Sequence, residues 1–190
     1  LPKVEDRNGK PLSPYAVSKA AVEQYAEVFG KTYGLDWIGF RYFNIFGPKQ
    51  NPDNPYAAVI PIFCKAFLED AEITINGDGE TSRDFCFIEN AVQANLLAAT
   101  ADDSAKNEVY NVAVGDRTTL NELYYALKVA LAENGKICDN VPIYRNFRSG
   151  DVRHSQADIN KAVSRLGYAP KYSIIDGISK ATPWYIKNIG

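Results

Sequence analysis

The 190 residues, 46% of them hydrophobic, are enough to bury the core of one domain or slightly more. The formal net charge of −2 argues against a nucleic-acid-binding surface, which would need a basic excess. No apolar run approaches the roughly 20 residues that cross a bilayer, and no signal-peptide pattern is visible. Three widely spaced cysteines with a single histidine form neither a disulfide framework nor a zinc site, so we expect no metal and a reducing, cytoplasmic compartment.

The start of the sequence indicates a piece of a longer protein. The chain contains no methionine, even at position 1, and opens on Leu1-Pro2 in a stretch typical of a loop. We therefore expect further sequence upstream.

The first predicted element is a long helix. Ser13 is a good N-cap and Pro14 suits the first helical position, so the helix should begin there. It should continue to about Tyr33 and end at Gly34, a natural C-cap.

The elements that follow alternate between strands and helices. Residues 37–43 form a nearly continuous apolar run, which is typical of a parallel strand covered on both faces. The further predicted elements are a helix over 57–68, strands over 73–75 and 84–88, a helix over 89–101, a strand over 109–114, a helix from Thr119 or Asn121 to about 135, a short strand within 137–151, and helices over 158–166 and after 174. The alternation indicates the α/β class.

The most informative pair is Tyr15 and Lys19. Residues four apart on a helix share one face, so the lysine ammonium should lie close to the tyrosine phenol. A nearby ammonium favours the phenolate form, which can act as a general base. The pair could therefore take a proton from a substrate hydroxyl.

The spacing alone is not specific, because Tyr124 and Lys128 repeat it. Leu123, Tyr124 and Leu127 fall on one apolar stripe of the predicted helix, and Lys128 lies off that stripe. We interpret this second pair as core packing beside a solvated lysine.

A complete dinucleotide-binding domain would begin with a glycine-rich turn after its first strand, followed by a helix. Residues 76–79, Asn-Gly-Asp-Gly, lack the required glycine spacing and the following apolar helix, so we interpret them as a surface turn.

Four motifs carry a family resemblance. They are Ser13-Pro14-Tyr15-Ala16-Val17-Ser18-Lys19, residues 41–48 (RYFNIFGP), residues 77–85 (GDGETSRDF) and residues 150–155 (GDVRHS). In this order they resemble the successive motifs of the extended short-chain dehydrogenase/reductases. Within them the chain is most similar to the C-terminal half of the NAD-dependent UDP-N-acetylglucosamine 4-epimerases of bacterial surface polysaccharide (O-antigen, lipopolysaccharide) synthesis.

The resemblance implies a fold and a division of the chain. Residues 1–48 would be the end of a Rossmann-like NAD-binding domain, and 49–190 mainly a small mixed α/β substrate-binding domain, with about 84–114 returning to the parallel sheet. The N-terminal half, with the glycine-rich NAD loop and the serine or threonine that assists the tyrosine, is absent from the sequence.

By the same resemblance, Tyr15 would remove the proton from the sugar 4-hydroxyl while a hydride passes from carbon 4 to NAD. Lys19 would hold the nicotinamide ribose, and Tyr42 and Ile45 would lie beside the nicotinamide. The 4-keto sugar would then turn and recover the hydride on its other face.

The resemblance also implies a set of substrate-binding residues. Arg83 and Arg148 would clamp the UDP diphosphate, Asp151 would accept from the ribose hydroxyls, and Ile75 would lie against the uracil. Asn44 would contact the sugar or the phosphate. The pocket for the acetamido group would be lined by Gln50, Ala58 and Ser155, and Val59 is a further implied substrate-binding residue.

The position of His154 in the matching motif is not that of the catalytic base.

The family further implies a homodimer through the helix that carries Tyr15. Two alternatives remain open: a related UDP-sugar enzyme, such as a UDP-glucuronate epimerase, a decarboxylase or a dehydratase, or a non-catalytic nucleotide-sugar-binding fragment.

Overall fold

A computed structural model describes residues 1–7, 9–53, 58–147 and 150–189. The helices are α1 (Pro14–Tyr33), α2 (Val59–Leu68), α3 (Ile88–Ala99), α4 (Leu120–Glu133), α5 (Asn160–Leu166) and α6 (Ile174–Ile189), with a 3₁₀ turn at Asp103–Ala105. The strands are β1 (Ile38–Tyr42), β2 (Ile45–Phe46), β3 (Ile73–Asn76), β4 (Ser82–Arg83), β5 (Cys86–Phe87), β6 (Glu108–Val112), β7 (Thr118–Thr119) and β8 (Pro142–Arg145). The predicted α/β class is confirmed.

Helix α1 has the predicted bounds because both of its ends are capped locally. The Ala16 N–H donates to Ser13 Oγ at 3.1 Å, and Pro14 is the first helical residue. At the other end Gly34 adopts a left-handed conformation (φ 68°), and its N–H bonds the carbonyl of Gly30. None of the α1 residues is buried, so this helix lies on the surface of the described structure.

One core surrounds the parallel pair β1 and β6, in which Ile38 lies opposite Glu108 and Tyr42 opposite Val112. Helices α3 and α5 cover this pair with buried side chains that include Ala94 and Leu166. These strands carry Tyr42 and the residues that follow it toward the candidate site.

A second core lies among α2, α4, α6 and the parallel pair β3 and β8. Its buried residues include Phe63, Leu123, Leu127 and Tyr185. As predicted, Tyr124 is also buried in this core, whereas Lys128 is only partly covered. The thiols of Cys64, Cys86 and Cys138 are unpaired and buried, and burial raises the pKa of Cys64 to about 12.

The short strands β2, β4, β5 and β7 form two further pairs. Two-residue strands are too short to produce a hydrophobic period, so the sequence predicted only β5, as part of 84–88. Among the described residues, no helix is long and apolar enough to cross a membrane.

Gly177 on α6 provides a test of this packing. A Cβ at this position would lie 2.6 Å from the ring of Phe46 and 2.8 Å from Phe87 Cβ. We expect Gly177→Ala to lower the free energy of unfolding by about 1–3 kcal/mol, because overpacking outweighs the better helix propensity of alanine. Urea unfolding measures the change. Ser179→Ala, exposed on the same helix, is the control and should leave stability nearly unchanged; an equal effect of both variants would contradict the packing argument.

Candidate functional site

The pair Tyr15 and Lys19 lies on an open face of α1. Tyr15 is 71% exposed, and Lys19 Nζ lies 5.3 Å from the centre of the Tyr15 ring. The predicted sharing of one helical face is thus present. Because the Tyr15 phenol is open to solvent, a hydroxyl group of a ligand can reach it.

A bidentate ion pair holds α1 against β1. Arg41 Nε and Nη2 each donate to the Glu23 carboxylate at 2.7 Å, and Arg41 Nη1 donates to the Glu5 carbonyl at 3.0 Å. Hydrogen bonding by Glu23 raises the pKa of Arg41, so the guanidinium stays charged. The Arg41–Glu23 ion pair therefore determines which side of β1 faces α1, the helix that carries Tyr15.

Tyr42 points to the other side of the sheet. The Asn95 amide on α3 donates to the Tyr42 hydroxyl at 2.9 Å, whereas the preceding Arg41 contacts α1. The structure therefore does not bring Tyr42 together with Tyr15. Phe43, whose N–H extends the β1 ladder to the Val112 carbonyl at 3.0 Å, shares the side of Arg41 by strand alternation.

Asn44 follows β1 in a left-handed conformation (φ 34°). Its Nδ2 donates to the Asp84 carbonyl at 3.0 Å, so the amide joins the end of β1 to the segment that carries Arg83. Ile45 is half-buried in β2 and pairs with Cys86.

The predicted substrate-binding residues Ala58 and Val59 lie at the start of α2, whereas Gln50 lines a cleft with Lys65 and Glu69 near the end of that helix. Gln50 Nε2 donates to the Ile45 carbonyl at 3.0 Å, and its Oε1 is buried without a hydrogen-bond partner among the described residues. Ala58 is exposed at the N-cap of α2, and Val59 is half-buried against the second core.

Arg83 and Asp151 are brought together as an ion pair. Arg83 Nη2 lies 2.5 Å from Asp151 Oδ1, and Arg83 Nη1 donates to the Ser82 carbonyl at 2.9 Å. The predicted phosphate-binding and ribose-binding side chains are thus neighbours. Arg148, the second predicted phosphate ligand, lies outside the described residues.

The segment with Ser155 lies beside β4. Ser82 Oγ is 2.8 Å from His154 Nδ1, and the Ser155 N–H donates to the Ser82 carbonyl at 3.0 Å. Ser155 is 8% exposed. This bridge brings Ser155 to the strand that carries Arg83.

Ile75 is fully buried in the second core and offers no exposed atoms to a base. The alternation of Ile73, Thr74 and Ile75 was the sequence signal for this, because residues two apart share a face of a strand. Its predicted contact with uracil stays a prediction.

An additional cationic group that sequence analysis missed lies near the turn after β3. Arg153 pairs with Asp78 at 2.7 Å, and its guanidinium lies 5.0 Å from the centre of the Phe147 ring. The bond from Arg153 lowers the pKa of the Asp78 carboxyl.

Asp84 is the other residue that sequence analysis missed. Its side chain is fully buried, and its carboxylate accepts backbone N–H groups of Val114, Gly115 and Ala157. Burial raises the pKa of Asp84, and these three hydrogen bonds partly offset that effect.

The chain is similar to proteins of one known family. Residues 2–113 match the NAD dependent epimerase/dehydratase family. A UDP-glucose 4-epimerase from Mycolicibacterium smegmatis is 32% identical over 184 residues, which are 97% of this chain and 56% of that protein.

Two solved structures are also similar. A Thermotoga maritima UDP-glucose 4-epimerase with UDP-glucose matches with a TM-score of 0.90 and 38% identity, covering 100% of this chain and 58% of that one. A Methanobrevibacter ruminantium UDP-N-acetylglucosamine 4-epimerase in complex with UDP-N-acetylmuramic acid matches with a TM-score of 0.89 and 39% identity, covering 98% and 58%. The chain thus spans somewhat more than half the length of these relatives.

Proposed function

Because this chain belongs to the NAD-dependent epimerase/dehydratase family, we propose that it is the C-terminal part of a UDP-N-acetylglucosamine 4-epimerase. We define the complete protein as this chain together with an upstream segment like that of its longer relatives. The observation that carries the proposal is the exposed Tyr15 with Lys19 beside it on α1.

The chemistry begins with proton transfer. The Tyr15 oxygen takes the proton of the sugar 4-hydroxyl as the general base, and the Lys19 ammonium lies beside the Tyr15 ring. Bound NAD supplies a hydride acceptor and donor at carbon 4. Tyr15 then returns the proton to the 4-keto sugar after the sugar has turned, so the net reaction is an isomerisation.

The residues of this chain fit only part of NAD. Tyr15 and Lys19 are accessible on α1 and can bond the nicotinamide ribose. Residues 76–79, the Gly-containing turn after β3, are followed by β4 and not by a helix, so they do not make a pyrophosphate site. We propose that the upstream segment binds the remainder of the cofactor.

The UDP moiety is proposed to bind at Arg83 and Asp151. A guanidinium presents several donors to a diphosphate, and a carboxylate accepts from ribose hydroxyls. Their ion pair at 2.5 Å supports the proposal because it shows that both groups reach the same space. Arg148 is proposed as a second phosphate ligand.

The preference for an N-acetylated sugar is proposed to come from Ser155, Gln50 and Ala58. Small side chains at 155 and 58 leave room for an acetamido group at carbon 2. The buried Gln50 Oε1, without a partner among the described residues, can accept the acetamido N–H. Asn44 Oδ1 is available to the sugar, since the bond to Asp84 uses Nδ2.

Ser155→Tyr tests this assignment. We expect the phenol to fill the acetamido space, so turnover of UDP-N-acetylglucosamine falls far more than that of UDP-glucose, because a clash acts on the larger substrate. Competing steady-state assays in the complete protein measure the ratio. Ser155→Ala is the control and should keep the wild-type ratio. Equal losses for both substrates in Ser155→Tyr would remove Ser155 from the acetamido pocket.

The function itself is tested by incubating the complete protein with NAD and UDP-N-acetylglucosamine. Appearance of UDP-N-acetylgalactosamine by proton NMR is the expected result. UDP-glucose and UDP-glucuronate assayed in parallel separate the other 4-epimerases, and loss of water or carbon dioxide would identify a dehydratase or decarboxylase. Binding of UDP-sugar without any conversion would favour a nucleotide-sugar-binding module.

Assembly is proposed to occur through α1, as a homodimer. The face of this helix presents large exposed apolar side chains, namely Val17, Val22, Tyr25, Val28 and Phe29. Contiguous apolar surface of this kind favours association.

We also propose that residues 1–48 and about 84–114 form the NAD-binding part and that the rest of 49–190 forms the substrate-binding part. The proposed cellular role is surface polysaccharide synthesis in the cytoplasm.

A further inference from the structure

Asp84 is a fully buried carboxylate that the proposed chemistry does not use. Among the described residues, no lysine or arginine pairs with it. Instead, Oδ1 accepts the Val114 N–H at 3.0 Å, and Oδ2 accepts the N–H groups of Gly115 and Ala157 at 3.1 Å each. Burial of a charge without a counter-ion costs free energy, and the three N–H donors offset part of that cost for the Asp84 carboxylate.

The three N–H groups belong to segments far apart in sequence. Val114 and Gly115 follow β6 of the first core, whereas Ala157 lies two residues after Ser155. A third segment joins through the backbone of Asp84, because Asn44 Nδ2 donates to the Asp84 carbonyl. Asp84 itself directly follows Arg83 in the chain.

Three of the proposed sugar-binding and phosphate-binding residues are therefore connected to Asp84. Arg83 is its neighbour in sequence, Asn44 is bonded to its carbonyl, and Ser155 is two residues from a bonded N–H. A second bond reinforces the same junction, since Gln156 Nε2 donates to the Gly115 carbonyl at 2.8 Å. Stability alone does not account for the carboxylate, because well-packed apolar groups are often at least as stabilising as buried charges.

Resting on the proposed function, we infer that Asp84 is a positioning residue for the UDP-sugar: its carboxylate sets the relative positions of Asn44, Arg83 and Ser155 without contacting the substrate. Tyr15 and Lys19 lie on α1, outside this set of hydrogen bonds. Loss of the carboxylate should therefore weaken binding of the nucleotide-sugar and leave the proton-transfer step largely intact.

The test is Asp84→Asn in the complete protein. Asparagine has nearly the same volume as aspartate. Its side-chain NH₂ group cannot accept a hydrogen bond, so at least one of the three backbone N–H groups loses its acceptor. We expect KM for UDP-N-acetylglucosamine and Kd for UDP, the latter by calorimetry, to rise about tenfold or more, the loss in affinity that corresponds to one misplaced hydrogen bond. We expect kcat to change less than about threefold, because Asp84 makes no contact that is specific to the transition state.

Asn90→Asp is the matched control. Asn90 is equally buried, and its side chain bonds the backbone N–H groups of Lys171 and Tyr172 and the Tyr172 carbonyl. We expect this variant to lose stability while KM and Kd stay at wild-type values. If KM rises in both variants in proportion to their loss of stability, the positioning role of Asp84 is overturned.

The outcomes separate this inference from the function it rests on. Wild-type protein that neither binds UDP nor converts the sugar overturns the proposed function and this inference with it. Active wild-type protein with an unchanged KM and Kd in Asp84→Asn, or with a loss in kcat alone, overturns only the role of Asp84.

A measurement on the unaltered complete protein covers the case in which Asp84→Asn does not fold. Addition of UDP should slow hydrogen exchange at Val114, Gly115 and Ala157 together, because one carboxylate accepts all three N–H groups. Slower exchange confined to the segment around Arg83 would overturn the inference.

Discussion

Tyr15→Phe in the complete protein is expected to lower the epimerisation rate by about 10²–10⁴-fold or more, while UDP-sugar binding stays close to wild type. The phenol oxygen is the proposed proton acceptor, and phenylalanine keeps the ring of this 71% exposed side chain while removing that oxygen. Steady-state rates and calorimetric UDP-sugar binding are the two measurements.

The second Tyr-x-x-x-Lys pair of the chain offers a matched control. Lys128 Nζ lies 6.0 Å from the Tyr124 ring, but Tyr124 is buried and its hydroxyl donates to the Asn140 carbonyl at 2.5 Å. Tyr124→Phe should cost about 1 kcal/mol of stability, the usual net worth of one hydrogen bond, and leave kcat unchanged. Near-normal turnover in Tyr15→Phe would remove Tyr15 from the mechanism.

The 190 residues expressed alone are expected neither to bind NAD at micromolar concentrations nor to epimerise UDP-sugars. The pyrophosphate of such a cofactor needs a glycine-rich turn at a helix N-terminus, and Tyr15 and Lys19 are proposed to contact only its nicotinamide end. Calorimetry with NAD measures the affinity. Co-expression with the upstream segment should restore activity if the two parts dock, whereas micromolar NAD affinity of the 190 residues would show that this account of cofactor binding is wrong.

The same protein is expected to self-associate, because α1 buries none of its residues and exposes apolar side chains. Sedimentation velocity should show association, and Val22→Lys with Val28→Lys should reduce it, since both positions are more than half exposed. Lys31→Ala, at an exposed polar position of the same helix, is the control. A monomer at all concentrations would argue against α1 as a contact surface.

Local features of this fold follow from the sequence, whereas long-range contacts do not. The bounds of α1 were predictable because Ser13, Pro14 and Gly34 act within one helical turn of its ends. The buried stripe of α4 was equally predictable, since a period of 3.6 residues distinguishes Leu123 and Leu127 from Lys128. The family motifs indicated which residues to consider for the site, but not where their side chains point.

The side of the sheet to which Tyr42 points depends on Asn95, 53 residues away, and the position of Arg41 depends on Glu23 in α1. Neither partner can be inferred from neighbours in sequence. The short strand β4 pairs with β7, whose residues 118–119 lie far along the chain, and two residues carry no period from which such a pairing could be predicted.

The candidate site shows the same division. Tyr15 and Lys19 were predictable as a pair because one helix holds both, and i,i+4 geometry is a local property. The contacts of Arg83 with Asp151, and of the Asp84 carboxylate with Val114, Gly115 and Ala157, join positions 30 to 73 residues apart. Only the folded chain decides these contacts, because a buried carboxylate takes whichever N–H donors the packing of distant segments brings to it.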